Sequence, residues 1–224
     1  MSIKNVTPTI QWNLVLIVLC LVCTAGCART YYRAMEKVGI HKRDILVSRV
    51  EDARDAQEEA QEQFKSALQR FGEVVRIEET DLKKAYDKLN SEYEESRDAA
   101  SEVSERIKSV ESVADALFQE WEEELTLYSR DSLRRSSQKK LSETKSKYRK
   151  MLASMHQAEK SMTPVLNTFQ DNVLFLKHNL NAQAIGSLKS EFNTLKTQID
   201  GLIQNMNHAI ERSNRFIEDI HSSK

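Results

Sequence analysis

Five glycines and two prolines in 224 residues leave this chain short of the residues that close turns. A mixed or all-β fold of similar length needs several times more, so both are excluded. No run beyond residue 27 alternates apolar and polar positions at period two, which removes half-buried strands as well. Cysteine is confined to Cys20, Cys23 and Cys27, so the body of the chain has no disulfide framework and no thiol nucleophile. No GxxxxGK[ST] phosphate loop and no G-x-S-x-G elbow occur. The five histidines form neither HExxH nor an i,i+4 pair, so neither metal nor cofactor is expected.

What is abundant is charge, at 30% Asp, Glu, Lys and Arg, together with Ala, Leu and Ser, the composition of long helices. The net charge of −1 hides a polarity along the chain. Residues 1–50 carry +5, 51–125 carry −13, 126–160 carry +7 and 161–224 carry 0. A nucleic-acid binder is basic as a whole or along one face, and here the basic block adjoins a larger acidic one. Mutual pairing and solubility explain that pattern, and nucleic acid is not an expected partner.

The first 27 residues read as a leader. Leu14 to Cys23 form an apolar stretch of ten residues, about half of what a spanning helix needs. Small residues and a cysteine come next, "TAGC", as at the cleavage site of a secretory signal. This resembles a bacterial lipobox, with cleavage between Gly26 and Cys27 and acylation of Cys27. Thr24 stands where leucine is usual, and ordinary signal-peptidase cleavage or an uncleaved anchor are the alternatives. Two or three acyl chains on Cys27 would hold the protein stably at a membrane. Ala28, rather than Asp, after the cysteine resembles the outer-membrane sorting choice. The expected organisation is a signal peptide over 1–26, a lipidated N-terminus and tether over 27–43, and one helical domain over 44–221.

Within that domain, Val50, Ala53, Ala56, Ala60, Phe64, Ala67, Phe71 and Val74 recur at steps of three and four, marking one helix face. Gly72 and "RIEETD" (76–81) predict a break. A second pattern runs from Leu82 through Val103, Val110, Leu117, Trp121 and Leu125, fades over 129–140 and resumes at Leu141, Tyr148, Leu152 and Met155. Thr163-Pro164 reads as a helix start. Ile185, Leu188, Phe192, Leu195, Ile199, Leu202, Met206, Ala209, Ser213, Phe216 and Ile220 form the most regular heptads, with a stutter expected near Ala184. The expected fold is therefore all-α: an elongated antiparallel coiled coil or bundle of three long helices near 44–75, 80–160 and 164–221. It becomes four if the chain breaks at 129–139.

No catalytic constellation emerges; "EWEEEL" (120–125) is a solvated helix face rather than an acid–base pair, and an enzyme is not expected. Two surface patches are candidates. Arg134, Arg135, Lys139 and Lys140 could meet an anionic ligand such as lipid headgroups, or simply pair with acidic neighbours. Trp121, His178, Asn179 and Asn181 could form a partner-docking patch or a pocket, or be buried residues that fix register.

The segments "YYRAMEKVGIHKRDILVSRVEDARDAQEEAQEQF" (31–64), "ALFQEWEEEL" (116–125), "SLRRSSQKKL" (132–141) and "VLFLKHNLNAQAIGSL" (173–188) resemble a proteobacterial family of predicted coiled-coil proteins catalogued only as a domain of unknown function, many with a lipoprotein-like leader. The resemblance implies an envelope location and a helical fold, and it carries no activity or site residue. The expected role is a non-enzymatic structural or adaptor element on the periplasmic side of the envelope, without cofactors. It would be held by Cys27 and would bind a protein partner or itself along its helices. A sensory or ligand-binding bundle and a membrane-surface remodeller using residues 132–150 are the alternatives.

Overall fold

A computed structural model describes residues 41–76, 82–179 and 182–222, with side chains from 185 onward in the last stretch. The chain divides into two compact units at Ile45/Leu46. The described residues form four helices: α1 (Lys42–Val74), α2 (Leu82–Leu125), α3 (Asp131–His178) and α4 (Ala182–His221). They contain no strand. The all-α expectation holds, as a helical bundle.

Each helix buries one stripe. On α1 the fully buried positions Leu46, Val50, Ala53, Gln57, Ala60, Phe64, Ala67, Phe71 and Val74 alternate steps of four and three, with Ile45, Val47, Ala56 and Gln61 buried on its flanks. On α4 the heptad positions read from sequence are buried from Ile185 to Ile220, apart from the half-buried Phe192. Neighbouring helices run antiparallel. Glu111, Phe118 and Glu122 of α2 meet His156, Tyr148 and Lys145 of α3, so the numbers rise on one helix as they fall on the other. Arg54, Gln61 and Phe71 of α1 likewise meet Asn214, Asn207 and Phe192 of α4.

Several expectations are refined. Of the three-helix and four-helix expectations the four-helix one holds among the described residues: the stretch 80–160 is not one helix, and the turn at 126–130 overlaps the start of the expected break at 129–139. The Glu123 and Glu124 carbonyls accept closing bonds there from the Thr126 and Leu127 N–H groups, at 3.1 and 3.0 Å. Thr163-Pro164 starts nothing: Pro164 lies inside α3. Its missing N–H faces the exposed side, where water can serve the freed carbonyl, while Met155, Ala158, Met162, Val165 and Phe169 continue the buried stripe past it. Packing of a 48-residue helix outweighs the local stop signal. The stutter near Ala184 gives way to a helix end, since α3 stops at His178 and α4 starts at Ala182. Gly72, read as part of a break, sits within α1. A Cβ there would stand 3.1 Å from the Phe192 ring, which stacks on Phe71 with centroids 6.2 Å apart.

Among the buried polar side chains, Gln57 stands apart. Gln57 is fully buried on the α1 stripe, and neither its amide oxygen nor its amide nitrogen has a hydrogen-bond partner. An unpaired buried amide forfeits its hydration without return. Replacing Gln57→Leu is expected to raise stability by about 1–3 kcal/mol, whereas Phe64→Ala lowers it by about 3–5 kcal/mol. Urea unfolding followed by circular dichroism measures both; a Gln57→Leu midpoint below the parent's would show that the amide contributes stability.

Candidate functional site

The expected basic patch lies on the first three turns of α3, with all four side chains exposed. Arg134 bonds Asp131 at 2.9 Å and Lys139 approaches Glu143 at 3.9 Å. Arg135 and Lys140 have no ion-pair partner among the described residues. The pairing of the basic block with the acidic one is thus limited to places deeper in the α2–α3 hairpin, where Lys145 meets Glu122 at 2.6 Å and His156 meets Glu111 at 3.0 Å. α3 begins poorly, with Arg130 at its N-cap and no side-chain cap bond. Arg134 in the first turn also opposes the helix dipole, which Asp131 beside it offsets.

Of the expected docking patch, Trp121 is not brought together with His178 and Asn179. Trp121 is half-buried near the end of α2 and donates its indole N–H to the Ser137 hydroxyl at 2.8 Å. His178 ends α3 and is exposed. Ser137 and His178 are separated by 41 positions of one helix, or about 60 Å. No pocket can contain both. Asn179 is the α3 C-cap, its N–H donating to the Phe175 and Leu176 carbonyls. It and His178 therefore punctuate the chain instead of fixing register, and Asn181 lies outside the described residues. The buried polar residue of this region is Asn172, whose amide nitrogen donates to the Thr168 carbonyl at 2.7 Å. Gly26, Cys27 and the whole leader also lie outside the described residues.

Periodicity passed over Phe118. It is buried and meets Tyr148 edge-on at 5.3 Å, while Leu117, Trp121 and Leu125, placed on the core stripe from their spacing, are half-buried. A straight helix drifts from a 3.5-residue repeat by about 20° per heptad, which moves the buried stripe by one position over this length.

Sequence reasoning also gave no role to His156, because one of its partners is remote in sequence. Its two ring nitrogens lie 2.9 Å from Glu159 and 3.0 Å from Glu111, bridging α3 to α2. Partial burial disfavours the imidazolium, but hydrogen bonds and charge from the two carboxylates outweigh this and raise its pKa. For Glu159 partial burial pushes the other way, and the bonds from His156 and Ser104 prevail and lower its pKa. Beside them runs an open groove of about 570 Å³ lined by Arg97, Ser101, Ser104, Lys160 and Leu166. Both ring nitrogens are taken by carboxylates, so the histidine acts as a clasp between helices. Among the described residues no group of three His, Cys, Asp or Glu side chains is arranged to hold a metal ion. No described helix is long and apolar enough to cross a membrane.

The raised His156 pKa stabilises the fold below the unfolded value of about 6.5, and that contribution is lost as pH rises through the folded value. The lowered Glu159 pKa adds stability above its unfolded value, lost as pH falls. With His156 about half exposed, the clasp is worth about 0.5–1 kcal/mol. His156→Gln is expected to lower the melting temperature at pH 5.5 and to leave it close to the parent's at pH 8.5. Equal losses at both values would assign the effect to packing.

A family model, Protein of unknown function (DUF2959), matches residues 31–220, and the chain belongs to that family. No curated protein and no solved structure matches it.

Proposed function

For this member of the DUF2959 family, we propose a non-enzymatic structural or adaptor role in the bacterial envelope, on the periplasmic side, with Cys27 as the lipid anchor and the outer membrane as the destination. The observation that carries this reading is the division of labour along the chain. A short apolar leader ends in small residues and a cysteine, and the helical body beyond it commits its regularly spaced apolar side chains to a core, as on α1 and α4. Such a body offers partners long helical surfaces. The same unbroken three–four spacing supports coiled-coil packing between the antiparallel helices, and with it an elongated outline.

Intact mass of the protein isolated from native membranes, beside a Cys27→Ser variant, tests the anchor. A parent chain beginning at Cys27 with added acyl mass, and a variant without that mass, is the expected result. A parent mass beginning at Met1 would remove the lipid anchor and the localisation built on it.

A further inference from the structure

The two-helix tip at residues 126–140 is exposed along its whole length apart from the half-buried Ser137. Three of its side chains are large and apolar: Leu127 at 80% exposure, Leu133 at 47% and Tyr128 at 41%. Lys147 of α3 meets Asp219 of α4 at 2.9 Å, and α4 ends at His221. The first turns of α3 therefore run past the end of α4 by about 20 Å. Interleaved with the apolar residues are Arg130, Arg135 and Lys140, which have no acidic partner among the described residues, and Arg134 and Lys139, which have only exposed local ones. Glu122, one turn back on α2, is occupied by Lys145.

We infer that this tip docks on an anionic lipid bilayer, with Leu127, Tyr128 and Leu133 entering the interface and Arg130, Arg135 and Lys140 meeting headgroup phosphates. Three observations select a bilayer over a protein. The apolar groups sit at the end of a hairpin instead of along a helix face, a shape that enters a planar interface. Unpaired cations beside them complement an anionic surface, where each contributes electrostatic attraction. Three side chains fall well short of the roughly 800 Å² per partner of a stable protein interface.

The test uses the full chain carrying Cys20→Ser, Cys23→Ser and Cys27→Ser, with a nitroxide on Leu127→Cys or, as a control on the opposite end of α2, on Lys83→Cys. The protein is reconstituted into phosphatidylglycerol/phosphatidylethanolamine vesicles or into phosphatidylcholine vesicles. Power saturation with oxygen and a water-soluble nickel chelate then reads the depth of each label. The expected result is a several-fold rise in the oxygen-to-nickel accessibility ratio at position 127 on the anionic vesicles. The rise should be smaller on phosphatidylcholine, absent at position 83, and abolished by Arg130→Glu, Arg135→Glu and Lys140→Glu together. All these positions are exposed, and unchanged far-ultraviolet circular dichroism verifies the fold. A label at 127 as open to nickel as the one at 83 overturns the inference. So does spin–spin broadening at 127 that grows with protein concentration without lipid, which would assign the tip to a second copy of this chain. Because Cys27 is absent throughout, neither result depends on acylation.

Discussion

Two aromatic side chains on α3 set the levels at which the other helices meet it. Phe169 is fully buried and touches rings from two helices, Phe71 of α1 at 6.0 Å and Tyr93 of α2 at 6.2 Å. Tyr148 meets Phe118 of α2 at 5.3 Å and Phe216 of α4 at 6.3 Å. The two nodes are three heptads apart on one helix, about 30 Å. Both therefore lie on the same stripe, and everything between them is aligned by α3. Remove the continuity of α3 and the nodes lose their fixed separation. That dependence explains why Pro164 is absorbed into the helix: its local cost is set against burial along a stripe with partners on both sides.

Electrostatics plays a smaller part than the 30% charge content suggests. Most ion pairs join positions three or four apart on the same helix, such as Lys65–Glu62, Arg106–Glu102 and Lys196–Asp200, where exposure keeps each contribution small. Those that cross between helices, Lys145–Glu122 and Lys147–Asp219 among them, work mainly as register marks. The Tyr148 node shows the same ranking. Burial, with the nearby Asp115 and Glu111 charges, pushes its phenol pKa well up, so this ring stays neutral and serves the core.

The functional interest consequently moves to the places where the bundle stops satisfying itself. At the turn between α2 and α3 a weakly started helix, unpaired cations and exposed leucines coincide. Exposed in water, these groups bury nothing, and at an anionic apolar–polar boundary each would find a partner. The His156 clasp differs, because its carboxylates complete it from within the protein.

Helix content, the regular stripes of α1 and α4 and the position of the basic patch were legible in the sequence, because a three–four spacing of apolar residues states which face a helix will bury. Where helices end was less so. Periodicity faded over 129–140, slightly past the actual turn at 126–130, and Thr163-Pro164 suggested a restart where the folded chain continues as one helix. Trp121 and His178 looked like one site by residue type, but 41 helical positions keep Ser137, the partner of Trp121, from His178. Phe118, His156 and the unpartnered Gln57 acquired their roles from residues distant in the chain. The sequence alone determined which side chains seek a core, since that preference belongs to each residue and its spacing. Only the tertiary structure decided which helix supplies the other half of each contact, since a helix end or a clasp is settled by the packing available on both sides.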